Sequence, residues 1–215
     1  MTAAVRVVSA YPDGRRGDAT RLVFEYMASA MVETGRGIPG WIGELPPVLM
    51  CECRNLPVVY RSPGALLIAY HNGQAAGCAG VAPRPPEAGG SLDSASFESA
   101  GFGSAGFGSA DFDSAGFDST ALISTAVIKR LYVRPTHRGH GIARALMNHA
   151  HHHAARHGID RLVLDALPAR ASVIDFYRRL GYTETEPYGS CLPASMTYLE
   201  RLITHDDIQP SLGAT

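Results

Sequence analysis

The sequence predicts an α/β (α+β) domain built around one sheet, and three stretches predict it. Residues 127–146, VIKRLYVRPTHRGHGIARAL, read as a strand, a turn and the opening of a helix. Residues 161–181 repeat that order: RLVLD is strand-like, 171–180 has helical periodicity, and Gly181 stands where a helix C-cap glycine belongs. Between 64 and 81, two apolar runs flank His71-Asn72-Gly73, an Asn-Gly hairpin signal. A chain of 215 residues with 46% apolar composition has the material for one domain, 1–215, carrying one enlarged loop.

Taken in order, residues 1–10 alternate briefly and suggest a first strand near a sheet edge. Leu22, Val23, Tyr26, Met27, Ala30 and Met31 recur at three-to-four spacing, a helix that Asp18 or Thr20 could cap and that Gly35-Arg36-Gly37 ends. Residues 38–47 hold the sole tryptophan, Trp41, with Glu44 and three prolines, and read as an irregular loop. A short helix over 48–56 follows. The hairpin strand 74–81 is poor in side-chain volume, with glycines at 77 and 80 and alanines at 75, 76 and 79; close approach of another element would explain this, as would an uneven surface. In the helix after 141, Ile142, Ala145, Leu146 and Ala150 should face inward.

Residues 87–120 are different material. Phe97, Phe102, Phe107, Phe112 and Phe117 repeat every five residues among Ser, Ala, Gly and Asp, a period that fits neither helix nor strand. The tract has six acids, no basic residue and little aliphatic mass, so it is expected to be a disordered low-complexity insertion between the third and fourth strands. An interaction arm and an expanded hairpin loop without a role both remain open for it. Without these six acids the remaining chain carries 14 acidic groups against 19 basic ones, a mildly cationic body.

The net charge of −1 gives no general support to a nucleic-acid partner. Apolar runs long enough for a membrane span, a secretory leader and paired CxxC cysteines are all missing, so a reduced, cytoplasmic protein is expected. His149, His153 and His157 share one helix face, but the glutamate of a zincin pattern does not follow the first of them, and a solvated face is expected in place of a metal site.

The strand–glycine turn–helix at 127–146 aims several backbone N–H groups at one small volume, which is an anion cradle. It is neither a dinucleotide fingerprint, since Arg144 stands at the third glycine position, nor a triphosphate loop, since Gly-Lys-Ser/Thr is missing. The run Arg138 to Ala143, Arg-x-x-Gly-x-Ala, resembles the acyl-CoA pyrophosphate loop of the GNAT family of N-acetyltransferases. Residues 175–182, DFYRRLGY, resemble the same family's second signature, in the right order and spacing. Residues 126–133, AVIKRLYV, with Tyr60 and Pro63-Gly64, residues 164–168 (LDALP), and the stretch from Glu184 to Tyr188 before Pro193, are similar to a bacterial subgroup of small single-domain members.

The resemblance implies the GNAT acyl-CoA N-acyltransferase fold, a mixed, mostly antiparallel central sheet flanked by helices. It implies acetyl-CoA as cosubstrate, an amine as acceptor and no metal, and it leaves a homodimer open. Arg138, Gly139, His140, Gly141, Ile142 and Ala143 would hold the pyrophosphate; Leu131, Tyr132 and Val133 would meet the pantetheine arm, with the amide near Leu131 polarising the thioester carbonyl. Phe176 would flank the cofactor and Tyr177 would protonate the leaving thiolate. Trp41, Glu44, Glu52, Tyr60 and Tyr188 would border the acceptor. The chain departs from the subgroup at Val127, where a glutamate able to take the amine proton is replaced, and at Arg170, where an asparagine is common. Water, Glu44, Glu52 or Glu186 could then serve as base. The alternative is a catalytically weak acyl-CoA-binding or protein-interaction module.

Overall fold

In the computed structural model, which describes residues 4–11, 14–84, 125–189, 192–193 and 195–208, the chain runs in this order. β1 (Val5–Ser9), α1 (Arg16–Glu33), α2 (Pro47–Arg54) and α3 (Leu56–Val59) precede the hairpin β2 (Ala65–His71) and β3 (Gln74–Pro83). Then come β4 (Thr125–Val133), α4 (Ile142–Arg156), β5 (Arg161–Ala166), α5 (Ala171–Arg178), β6 (Thr183–Glu184) and β7 (Thr197–Leu202). The strands form one mixed sheet in the order β1-β2-β3-β4-β5-β7-β6. Among the described strands only β4 and β5 pair in parallel, and α4 supplies the crossover that such a pair needs.

Local chemistry accounts for the junctions. Asn72 and Gly73 both take positive φ, 54° and 76°, the tight reversal expected of an Asn-Gly hairpin. The low volume of β3 has two separate causes. A Cβ on Gly77 would lie 2.4 Å from the Tyr132 carbonyl oxygen of β4, and one on Gly80 would lie 2.1 Å from the ring of Tyr60. A neighbouring strand and a tyrosine ring therefore make the close approaches.

Each face of the sheet carries its own core. Ile142, Leu146, Met147 and Ala150 of α4, with Ile174 and Tyr177 of α5, pack on Ala126, Ile128, Leu162 and Leu164. Leu22, Val23 and Met27 of α1, with Leu49 and Cys53 of α2, pack on Leu66, Ile68 and Cys78. Each such buried aliphatic side chain contributes roughly 1.5–3 kcal/mol of transfer free energy.

Two expectations need correction. The cap of α1 is neither Asp18 nor Thr20: Arg15 occupies the N-cap without a side-chain bond, and Asp18 accepts a 2.6 Å hydrogen bond from the Tyr70 hydroxyl. The histidine face is only partly solvated, since His153 Nε2 lies 2.7 Å from the Pro63 carbonyl oxygen. On another face of the same helix, His151 points inward and pairs with the Tyr182 hydroxyl at 3.1 Å; burial, helped by Arg201, pushes its pKa down to about 4.

The expected insertion at 87–120 lies outside the described residues. Its two flanks are adjacent, because Pro83 pairs with Ala126 and the Arg84 N–H donates to the Thr125 carbonyl at 3.1 Å. Replacing 87–120 by a short Gly-Ser turn should therefore leave the melting temperature within about 10 °C of the full chain. A domain of this size shifts by about 2–4 °C per kcal/mol, so a larger drop in thermal denaturation would mean that the tract contributes several kcal/mol of packing.

Candidate functional site

The site begins with a bulge in β4. Between the pairs Gly80↔Lys129 and Cys78↔Tyr132, β4 places Arg130 and Leu131 against Ala79 alone. Arg130 has φ 56°, a left-handed conformation that costs a non-glycine residue roughly 1–2 kcal/mol. Its side chain supplies the compensation. Arg130 Nε donates to Glu52 Oε1 at 2.9 Å and Nη2 to Oε2 at 2.6 Å, while the Tyr60 hydroxyl donates to Oε1 at 2.9 Å. The guanidinium also lies 5.4 Å from the centre of the Tyr26 ring. Burial alone would raise the Glu52 pKa, but the charge and hydrogen bonds of Arg130, aided by Lys129 and Tyr60, pull it down to about 2. Glu52 and Tyr60, expected at the acceptor pocket, are bonded to each other and to Arg130, where they hold the β4 bulge.

β4 and β5 part before this bulge is reached. Their pairing ends at Val127↔Val163, although β4 continues to Val133 and β5 to Ala166. The gap is a cleft of about 760 Å³, a size suited to a small-molecule site. Leu131, Tyr132 and Val133 line it from β4, and Phe176 and Tyr177 from α5. Past Val127, alternate backbone groups of β4 are left without a β5 partner and are available to a bound molecule. Burial raises the pKa of Tyr177, with Tyr26 and Asp165 acting in the same direction, so it stays a neutral phenol.

The rim nearest α4 is the glycine turn and helix start at 138–143. Gly139 and Gly141 have φ of 79° and 74°, and a Cβ at either would meet nothing within 4 Å, so the loop is glycine-dependent for its backbone turn and open above it. The Ala145 N–H closes onto the Gly141 carbonyl at 3.0 Å, and the N–H groups before it lie at the helix start, where a helix leaves its donors free. Arg138, Gly139, Gly141, Ile142 and Ala143 all line the cleft. His140 turns away: its ring centre is 4.6 Å from that of His71, and its Nδ1 is 2.9 Å from the Arg138 carbonyl oxygen.

Two other expected residues lie elsewhere. Glu44 Oε2 accepts the Gly40 N–H at 2.6 Å and so closes its own turn. Trp41, 61% exposed, covers Gly43 and borders a shallow surface hollow with Arg16, Arg21 and Phe24. Tyr188 is closer to the cleft, donating from its hydroxyl to Asp165 Oδ1 at 2.7 Å. Val127 is buried between Ala82 and Val163 at the closed end of the gap.

Asp165 and Lys129 line the cleft although sequence reasoning gave neither a role. Each left a signal. Lys129 is the only lysine beside eighteen arginines and sits inside an apolar strand; Asp165 closes the apolar run Leu162–Val163–Leu164. Among the described residues, no group of three or more His, Cys, Asp or Glu side chains could hold a metal ion, and no helix is long and apolar enough to cross a membrane.

The chain matches the model of the acetyltransferase (GNAT) family over residues 40–182. No curated protein matches it. Several solved structures share its fold. An acetyltransferase of the GNAT family from Staphylococcus aureus Mu50 is 14% identical, with a TM-score of 0.58 over 94% of this chain and 100% of that one. The yncA protein of Salmonella typhimurium, solved with its cofactor acetyl-CoA, is 15% identical, with a TM-score of 0.58 over 95% and 96%. A ribosomal-protein-alanine N-acetyltransferase from Brucella melitensis is 18% identical, with a TM-score of 0.55 over 93% and 99%.

Proposed function

The chain belongs to the acetyltransferase (GNAT) family, and on that premise we propose that it moves an acetyl group from acetyl-CoA to a primary amine of a small molecule or peptide, by direct attack in a ternary complex. The observation that carries this reading is the parting of β4 from β5 after Val127, with the α4 helix start and Tyr177 opening into one cleft. In it, the amides of 139–143 and the Arg138 side chain hold the pyrophosphate. The backbone of β4 around Leu131 orients the pantetheine arm and stabilises charge on the thioester oxygen as the amine attacks. Tyr177, neutral and close to the cradle, gives its proton to the departing thiolate.

Gly141→Asp tests the cradle. The new side chain must adopt a positive φ, and its carboxylate would stand among donors that face the phosphates. CoA affinity should fall at least tenfold, equivalent to about 1.4 kcal/mol, when titrated by calorimetry. Wild-type protein giving no binding heat at high micromolar CoA would sink the assignment. Val127 favours a second reading, an acyl-CoA-binding module without turnover, because no acid stands at that position. Amine-dependent release of free thiol from acetyl-CoA separates the two.

A further inference from the structure

The amine end of the cleft needs a proton acceptor, and Val127 offers none. We infer that Asp165 is that acceptor, serving from β5 at the mouth of the gap in place of an acid on β4; the inference rests on the transferase reading above.

Register and alternation supply the geometry. Val127↔Val163 is the last pair joining β4 to β5, and two residues further along each strand stand Lys129 and Asp165. Leu162, Leu164 and Ala166 face the core under α4 and α5, so Val163 and Asp165 face the α1 side. Ser29 and Glu33 of α1 line the same cleft. A thioester held at the α4 rim and an amine arriving from the α1 side would thus meet across the gap from opposite directions. Tyr188 fixes the carboxylate by donating to Oδ1, and among the described residues no hydrogen bond engages the second oxygen, which would meet the amine. Neither Glu44, tied to Gly40, nor Glu52, tied to Arg130, is placed to do this.

The ionisable groups facing Asp165 are Lys129 and Arg130 from β4, Tyr188 from the segment after β6, Tyr198 from β7 and Tyr177 from α5. Burial raises the Asp165 pKa, against the pull of the Tyr188 hydrogen bond and the charges of Lys129 and Arg130. A carboxylate moved in that direction is a better base at neutral pH.

The step balances as follows. Asp165 takes one proton from the alkylammonium, and the freed nitrogen lone pair forms the C–N bond to the thioester carbon. The C–S bond then breaks with its electron pair on sulfur. The thiolate takes a proton from Tyr177, which recovers one from the acylated nitrogen, and Asp165 returns its proton to water. The products are the amide, free CoA and one proton.

The test is turnover against pH for wild type, Asp165→Asn, Asp165→Glu and Tyr188→Phe, with an alkylamine and an arylamine as acceptors. An alkylamine, with a pKa near that of lysine at about 10.4, arrives protonated at pH 7, whereas an arylamine arrives neutral. Asp165→Asn should lower alkylamine turnover at pH 7 by about 10²–10⁴-fold and replace the acid limb set by the carboxylate with a rise that continues toward the pKa of the amine itself. Arylamine turnover should stay within about threefold, CoA affinity should be unchanged, and Asp165→Glu should recover part of the loss. Tyr188→Phe should move the acid limb to higher pH, because the hydrogen bond it removes favours the carboxylate. Equal turnover of wild type and Asp165→Asn on the alkylamine overturns the inference, as does an equal loss on both amines with the acid limb at its wild-type position. If Asp165→Asn does not fold, an acid limb unmoved by Tyr188→Phe overturns it. A wild type that releases no thiol with any amine fails the transferase reading, and the inference falls with it.

Discussion

Tyr177→Phe should lower turnover by about ten- to a thousandfold while leaving CoA affinity within a few fold, the pattern expected when one general acid is removed and binding is kept. The phenylalanine ring can hold the same place, 5.5 Å from Phe176 and 5.6 Å from Tyr182 between ring centres, so the loss would report the hydroxyl and not the packing. Because burial raises the Tyr177 pKa, the phenol should not itself generate a basic limb in the wild-type profile near neutrality. Steady-state kinetics with a saturating amine checks this. Unchanged turnover would remove the tyrosine from the mechanism.

Glu52→Ala should destabilise the fold by about 3–5 kcal/mol, because it leaves the Arg130 guanidinium buried without its partner. The ion pair also has a pH signature. The Glu52 pKa is lowered from 4.5 to about 2, so its contribution is fully present above pH 4.5 and is lost as pH falls from there towards 2. That difference corresponds to about 3 kcal/mol. Urea denaturation across this window should show a steep loss of stability in the wild type and a shallower one in Glu52→Ala. The same variant should lose turnover at pH 7, since the bulge that shapes the β4 wall of the cleft depends on Arg130 being held. A stability change under about 1 kcal/mol would mean that the positive φ of Arg130 is maintained by the strand alone.

The elements that were legible in the sequence are those whose signals are local. Asn72-Gly73 fixes a hairpin by its own backbone preference, and the glycine turn before Ile142 announces a helix start. Gly181, with φ 85°, closes α5 as its position suggested. What stayed hidden depends on partners distant in the chain. Nothing near Glu52 shows that it meets Arg130, 78 residues on, or that Tyr60 lies over Gly80. β7 enters the sheet between β5 and β6, out of chain order, and its six residues TYLERL carry only a weak alternation. In the site, the glycine turn and helix start were legible because they belong to consecutive residues. That Asp165 shares their cleft was not, because this depends on where β4 stops pairing.

The most direct measurement is amine-dependent release of free thiol from acetyl-CoA across a panel of alkylamines, arylamines and peptides, with the acetylated product identified by mass. The account predicts thiol and amide in equal amounts for at least one class of amine, with Gly141→Asp suppressing both. A protein that binds CoA yet releases no thiol above background with any amine would contradict it.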